Sequence, residues 1–240
     1  NDIEEHLRQM PEDYLMTASS EEVALHIRLI QSLKDKLFIL HHQFHEGGNY
    51  HNLTLCCPTG RESFKKLVGT VTAKNLNILG AQIYLKQDGI VIVTIQVEAG
   101  TKADAENLEI WKNIKNILGQ LFAGDTNLQE MLKSRIRYTG EKKKMAMVPK
   151  VHVERTGDNP FTVIRVEARD HIGMLYKVST VFADFGIRIH RAKISTQGDR
   201  AIDVFYVSLK NPNFDLNKVL RRFKEQMIQT LLIEKLEDVP

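Results

Sequence analysis

Along this chain of 240 residues the hydrophobic pattern switches repeatedly between two periods. Residues 161–168, 187–196 and 201–209 alternate β-branched or aromatic side chains with polar ones, the pattern of half-buried strands. Between the first two, Met174, Leu175, Val178, Val181, Phe182 and Phe185 recur at helical spacing, and Gly186 stands where a helix C-cap glycine belongs. A Gln197-Gly198-Asp199-Arg200 corner joins the last two strands. This order predicts an antiparallel sheet with one face left for helices to cover.

Residues 1–35 read as helical. Met10-Pro11 breaks the first piece, and Ser19 with Glu22 three residues on forms a capping box for the next. Val23, Leu25, Ile27, Leu29, Ile30 and Leu33 give that helix a broad apolar face that needs a partner. From Lys36 the period becomes that of strands, at 37–44 and 50–57, joined by a Gly47-Gly48-Asn49 turn. Val151 to Arg155 is a further strand ending at a Gly157–Pro160 turn, and it fits either the first sheet or the second. Leu128, Met131, Leu132 and Ile136 predict a short helix. Asp215 or Asn217 opens a last helix after an Asn211-Pro212-Asn213 loop, and residues 231–236 read as a final strand.

The two halves are related. A shift of 111 residues without a gap places Ala81-Gln82-Ile83 on Ala192-Lys193-Ile194, Asp88 on Asp199, Leu55 on Val166, Phe64 on Leu175, Lys66 on Lys177 and His41 on His152. The first half is then a strand from Leu53, a helix at 62–74, strands at 77–86 and 90–97 about an Asp88-Gly89 hairpin, and a helix at 104–122. The same shift places Thr59 opposite Asp170, Glu62 opposite Gly173 and Ile92 opposite Asp203. The expected fold class is α+β: two ferredoxin-like βαββαβ units in tandem behind a helical segment. The boundaries are 1–35 for the helical connector, 36–123 for the first unit, 124–147 for a linker and 148–240 for the second.

Composition narrows the function classes. Hydrophobic residues make up 42%, charged residues 26%, and the formal charge is +3, ordinary for a soluble globular protein and too small a charge to argue for nucleic acid. Lys142-Lys143-Lys144 lacks aromatic interleaving and reads as a solvated linker. No apolar run reaches membrane-spanning length and no signal peptide opens the chain, which predicts a cytoplasmic protein. Asn1 in place of Met suggests a piece of a longer protein. The two cysteines, Cys56 and Cys57, are neighbours on a strand and point to opposite faces, so free thiols are expected in place of a bridge. Of the histidines at 41, 42, 45 and 51, His41 and His45 share a face but lie about 13 Å apart at roughly 3.3 Å per residue. Only a cross-strand pairing of His42 with His51 could share an ion, and no metal site is expected.

One corner carries candidate chemistry. Asp170-His171-Ile172-Gly173-Met174-Leu175 lies where a strand becomes a helix. Gly173 lets the backbone turn sharply and come close to a ligand. The helix N-terminus offers N–H groups and a positive dipole end for a carboxylate, and Asp170 could face an ammonium beside it. Carboxylate and ammonium together describe an α-amino acid. The plainer alternative is that Asp170 merely caps the helix and Gly173 merely fits the turn.

Asp-x-x-Gly-x-Leu at 170–175, then Ala192-Lys193-Ile194-x-Thr196, then Asp203-x-Phe205-Tyr206-Val207, resembles the ACT domain. In particular the set is similar to the last ACT domain of the bacterial uridylyltransferase/uridylyl-removing enzymes that modify the PII nitrogen-signalling protein. Met10 to Leu15 and Glu22 to Leu29 are similar to the segment that precedes the ACT pair in that family. The resemblance implies a regulatory module in which bound glutamine switches catalytic domains between attaching and removing uridylyl groups. It implies ligand contacts from Asp170, His171, Ile172, Gly173, Met174 and Leu175, with Ala192, Lys193 and Ile194 on the adjacent strand. It also implies dimerisation through ACT pairing as an option, and PII as a partner of the whole enzyme. The chain has no Gly-Ser loop with a paired Asp-x-Asp, no His-Asp metal dyad and no Ser/His/Asp set in sensible context. No catalytic residue and no cofactor are therefore expected here, and Mg2+ would serve only a catalytic region outside this chain. A structural module that pairs ACT-like sheets and binds no ligand is the alternative.

Overall fold

The computed structural model describes residues 2–60, 62–98, 108–135, 147–155, 161–209 and 216–232. Three helices open it: α1 (Asp2–Gln9), α2 (Glu12–Thr17) and α3 (Ser20–Leu33). The capping box at the start of α3 is present, with Glu22 N–H donating to Ser19 Oγ at 3.2 Å and Ser19 N–H donating to Glu22 Oε2 at 2.8 Å.

The first module follows as β1 (Ile39–His45), β2 (Tyr50–Pro58), α4 (Ser63–Thr72), β3 (Ile78–Leu85), β4 (Ile90–Glu98), α5 (Leu108–Ala123) and α6 (Leu128–Arg135). The second is β5 (Lys150–Glu154), β6 (Thr162–Arg169), α7 (Met174–Asp184), β7 (Ile187–Lys193), the two-residue β8 (Thr196–Gln197), β9 (Arg200–Leu209) and α8 (Leu216–Leu232). Both sheets are antiparallel, in the orders β1-β2-β4-β3 and β5-β6-β9-β7, with β8 also on β9.

The strand at 150–154 thus belongs to the second sheet, beside β6, just as β1 lies beside β2. This corrects the expected βαββαβ order. Among the described residues each module reads ββαββα, and the edge strand comes before the βαβ core. Leu231 and Leu232, expected to begin a final strand, are the last residues of α8. Leu231 continues the four-residue spacing of Phe223 and Met227, and all three are buried, whereas Leu232 is exposed. Residues 233–236 lie outside the described residues, as do Asp104, Arg61, Ile136, Lys142 to Lys144, the 157–160 turn, the 211–213 loop and Asp215.

Odd-numbered positions of β2 and β4 (Leu53, Leu55, Cys57, Val93, Ile95, Val97) face α4 and α5. Within the 124–147 stretch, Leu128 of α6 packs on α4. A Cβ on Gly69 would sit 2.5 Å from Leu128 Cδ2, which is why a helix interior holds a glycine there. The other face of sheet one carries Cys56, Tyr84 and Ile92, and α2 and α3 cover them with Tyr14 and Leu29. Cys56 and Cys57 are both free, both buried, and belong to these two separate clusters, as strand alternation requires. Edge strands β3 and β7 lie side by side and α4 packs on α7, so one apolar core runs through both modules.

The pairing registers refine the internal repeat. Leu55 pairs with Val93 in sheet one, and its counterpart Val166 pairs with Asp203 in sheet two. Ala81 and Ala192 pair with Ile95 and Phe205. The β3–β4 connection is therefore one residue longer than its counterpart, and Asp203 corresponds to Val93. The gapless expectation of Ile92 fails, because a one-residue slip sends a side chain to the other face.

At both strand-to-helix corners the helix N-cap is left-handed: Gly173 at φ 91° and Glu62 at φ 50°. A left-handed conformation costs a non-glycine residue about 1–2 kcal/mol, partly offset by the extra unfolded-state freedom of glycine. Replacing Glu62 with glycine should therefore stabilise the chain by roughly 0.5–1 kcal/mol. The expected readout is a higher urea midpoint at unchanged slope; a lower midpoint would show that the Glu62 side chain contributes more than its backbone costs.

Candidate functional site

The corner after β6 is built from both modules. Asp170 N–H donates to Asp199 O at 2.8 Å, which ties the loop to the β8–β9 corner. Met174 N–H donates to His171 O at 3.0 Å and Lys177 N–H to Gly173 O at 3.0 Å, so the chain tightens into α7 within two residues of Gly173. The Met174 N–H, expected among the carboxylate donors, is thus already engaged. Leu175 and Tyr176, at the second and third helical positions, have no acceptor within the helix itself.

A cleft opens at this corner. On one side are Asp170 through Leu175, with Ile194, Thr196, Ala201 and Asp203 behind them. Facing them from the first module are Thr72, Leu76, Asn77 and Ile78, at the end of α4 and the start of β3. His171 Nδ1 lies 3.0 Å from Ile172 O, and the Ile172 side chain is 37% exposed at the mouth. Met174 and Leu175 are buried, with their side chains in the core. Of the nine expected residues, Ala192 and Lys193 do not reach this cleft. They line a second cavity on the opposite face, beside α2 and α3, and Ile194 touches both. Ala192 is itself in the apolar core.

Asp203 was not expected at the site, yet it dominates it electrostatically. Its side chain is fully buried, Oδ1 accepts a long hydrogen bond from Ser195 N–H (3.4 Å), and Oδ2 has no partner. Burial pushes its carboxyl up to about 7, opposed by the Ser195 hydrogen bond and reinforced by Asp170. Asp170 is also raised by burial, while His171 and a hydrogen bond from Thr196 hold it back. Two carboxyls with raised affinity for protons thus share one narrow space beside a helix N-terminus. A buried carboxylate oxygen without a partner calls for a specific reason, and the first module shows the alternative: Val93 fills the same slot with hydrocarbon. The sequence signals for this residue were its place in the 203–207 motif and an acid at a core-facing strand position.

The cleft is tight. Its cavity volume is about 20 Å3, room for roughly one water.

The histidines of the first module meet elsewhere. His42 Nε2 lies 2.7 Å from His51 Nδ1, and both rings pack on Trp111, at 4.4 and 4.3 Å between centroids. Among the described residues no group of three or more potential metal ligands occurs, and no helix is long and apolar enough to cross a membrane.

The ACT domain family model matches residues 162–226, which run from the start of β6 into α8 and contain the Asp170–Leu175 corner and Asp203. An ACT domain is a regulatory, amino-acid-binding module. Among solved structures, a double-ringed trimeric shell protein from the RMM microcompartment aligns over 82% of this chain and 96% of its own, at 8% identity and a TM-score of 0.25. At that score the overlay says nothing about this chain.

Proposed function

We propose that this chain is the amino-acid-sensing part of a PII uridylyltransferase/uridylyl-removing enzyme, with tandem ACT modules and glutamine as the effector. The observation that carries the reading is Asp203: a buried acid with an unpartnered oxygen, in a slot where the other module has valine, beside Asp170 and a helix N-terminus. An α-amino acid would place its ammonium between Asp170 and Asp203 and its carboxylate at the Leu175 and Tyr176 N–H groups. Glutamine and the link to PII come from the resemblance of 170–175, 192–196 and 203–207 to that family. Uridylyl transfer, uridylyl removal and their Mg2+ belong to catalytic domains outside this chain.

The tightness of the cleft says how such a sensor would work. A space for one water admits an amino acid only if the Leu76–Ile78 wall and the Ile172 corner part. Glutamine then binds the wider arrangement of the two modules better and shifts the population toward it. Because β3 and β7 are neighbours across the seam, widening it moves one module against the other.

Titration calorimetry tests the assignment. Wild-type chain should bind glutamine; Asp170→Ala removes a charge-assisted hydrogen bond, and Gly173→Val forces a β-branched residue into a left-handed conformation. Each should weaken binding roughly tenfold or more. Equal affinity in all three proteins would sink the site. The tight cleft also favours a second reading, a pairing module that binds nothing. A melting temperature unmoved by every amino acid at millimolar concentration would select that one.

A further inference from the structure

The face of the sheets that carries the N-terminal helices holds a second and much larger cavity, about 300 Å3, within the range of metabolite pockets. Three parts of the chain wall it. Thr17 and Glu22 come from α2 and α3, Asn52, Gln82 and Gln96 from sheet one, and Arg191 and Lys193 from β7 of sheet two. It shares only Ile194 with the amino-acid cleft.

Its chemistry is uneven. Along the β7 wall stand two cations, against a single acid among the lining residues. That acid, Glu22, is committed to the capping box through Ser19 N–H. Arg191 lies over the Tyr206 ring, 5.3 Å from its centroid, which holds the guanidinium on this face. Lys193 is exposed. The opposite wall is neutral and rich in hydrogen-bonding groups. Asn52 has one end of its amide on His45 Nε2 at 3.1 Å, while Oδ1 is buried without a partner. Gly80, at the bulge where β3 shifts register on β4, keeps the space clear: a Cβ there would lie 3.1 Å from Gln96 Oε1.

We infer that this cavity binds a small organic anion that also carries hydroxyl or amide donors, its negative group at Arg191 and Lys193 and its donors toward Asn52 and Gln96. A carboxylate or a phosphate would satisfy the cationic wall equally. The neutral amide wall of Asn52, Gln82 and Gln96 offers hydrogen bonds at the other end that a bare inorganic anion cannot use, so an organic anion is the better fit. The site joins the helical segment, the first module and the second, so an occupant braces all three. It is independent of the amino-acid cleft and stands whether or not glutamine binds there.

Amide shift mapping on the full chain tests it with three probes: ribose 5-phosphate, citrate and inorganic phosphate. Millimolar ribose 5-phosphate, citrate or both should shift the Gly80, Gln82 and Lys193 amides and leave Gly173 unmoved. The phosphate-ester and carboxylate arms identify which anionic group is preferred, and either result supports the site. Lys193→Glu, at an exposed position that leaves the fold intact, should weaken the bound probe at least tenfold, and Gly80→Ala should weaken it by driving Gln96 into the cavity. The assignment is overturned if neither organic probe shifts these amides, or if affinity survives both substitutions. It is equally overturned if inorganic phosphate binds as tightly as the organic anions, because the Asn52 wall would then contribute nothing.

Discussion

At pH 8 the Asp203→Asn chain should be more stable than wild type by roughly 3 kcal/mol, and at pH 5 by only about 1 kcal/mol. The sign follows from the raised carboxyl. Asp203 moves from 3.8 in the unfolded chain to about 7 in the fold. The folded state therefore holds its proton more tightly, and the contribution of this group to stability is fully present below pH 3.8 and is lost as pH rises through about 7. At about 1.4 kcal/mol per unit, ionising this buried group costs the fold on the order of 4 kcal/mol at pH 8. An asparagine keeps an oxygen for Ser195 N–H and removes the charge, while its NH2 group faces the cleft without a partner, at a cost of about 1 kcal/mol. Urea melts of the two proteins at both pH values read the difference directly. A variant less stable than wild type at pH 8 would mean that Asp203 is satisfied in some other way.

The same substitution separates stability from binding. In the proposed pose, an ammonium between Asp170 and Asp203 would supply the missing counter-charge and draw the Asp203 proton off. Glutamine binding to wild type should thus release a proton and tighten as pH rises toward 7, whereas Asp203→Asn should bind weakly at every pH. The acid is a cost the fold carries without ligand, and Val93 shows that the same architecture works without it.

Particular residues show why some of this was legible in sequence and some was not. Ser19 and Glu22 announce the start of α3 because a capping box is local: four residues contain all of its chemistry. The Asp170–Leu175 corner is legible for the same reason, since a left-handed N-cap and a helix start need nothing beyond the loop itself. Asp203 stood in the motif, but its counterpart in the first module was misplaced by a single extra residue in the β3–β4 connection, because strand periodicity turns a one-residue error into the wrong face. Lys193 lines the second cavity and not the cleft for a related reason. It neighbours Ala192 and Ile194 in sequence but belongs to the other side of the sheet, beyond the bulge between Ile189 and Arg191. The edge strand at 150–154 could not be placed because the slot beside β6 can be filled from before or after the βαβ core, and Leu231 and Leu232 suit a strand or a helix equally. The facing wall at Thr72–Ile78 was illegible because it depends on how the two modules pack, which no local pattern encodes.

Acid should release the N-terminal helices while leaving both sheets folded. What holds α1–α3 on sheet one is a buried chain of polar groups inside an apolar patch. His6 Nε2 lies 3.1 Å from Tyr14 Oη, which lies 2.8 Å from His26 Nδ1, and the Tyr14 ring packs edge-on against Tyr84 at 4.9 Å. Tyr14 has one hydroxyl proton to donate, so one of the two imidazoles must accept it unprotonated, and charging either ring places a cation in the apolar patch. Burial, with a smaller push from His6, lowers His26 to about 4; burial and Lys86 lower His6, against a smaller raising effect of Asp88. A histidine lowered in the fold stabilises it above its unfolded value, and that stabilisation is lost as pH falls from 6.5 toward 4. For His26 alone the loss is on the order of 3 kcal/mol, more than a three-helix segment anchored on a few apolar contacts can spare. Asp203 responds to acid in the opposite direction, so the seam between modules firms while the helices loosen. Hydrogen exchange at pH 7.5 and pH 5, corrected for intrinsic rates, should show protection lost over residues 2–33 and retained in β2, β4, β6 and β9. His26→Phe, which keeps the ring volume and cannot take a proton, should remove most of the pH dependence of that protection. If the helices stay as protected at pH 5 as at pH 7.5, the buried histidines are not what governs their docking.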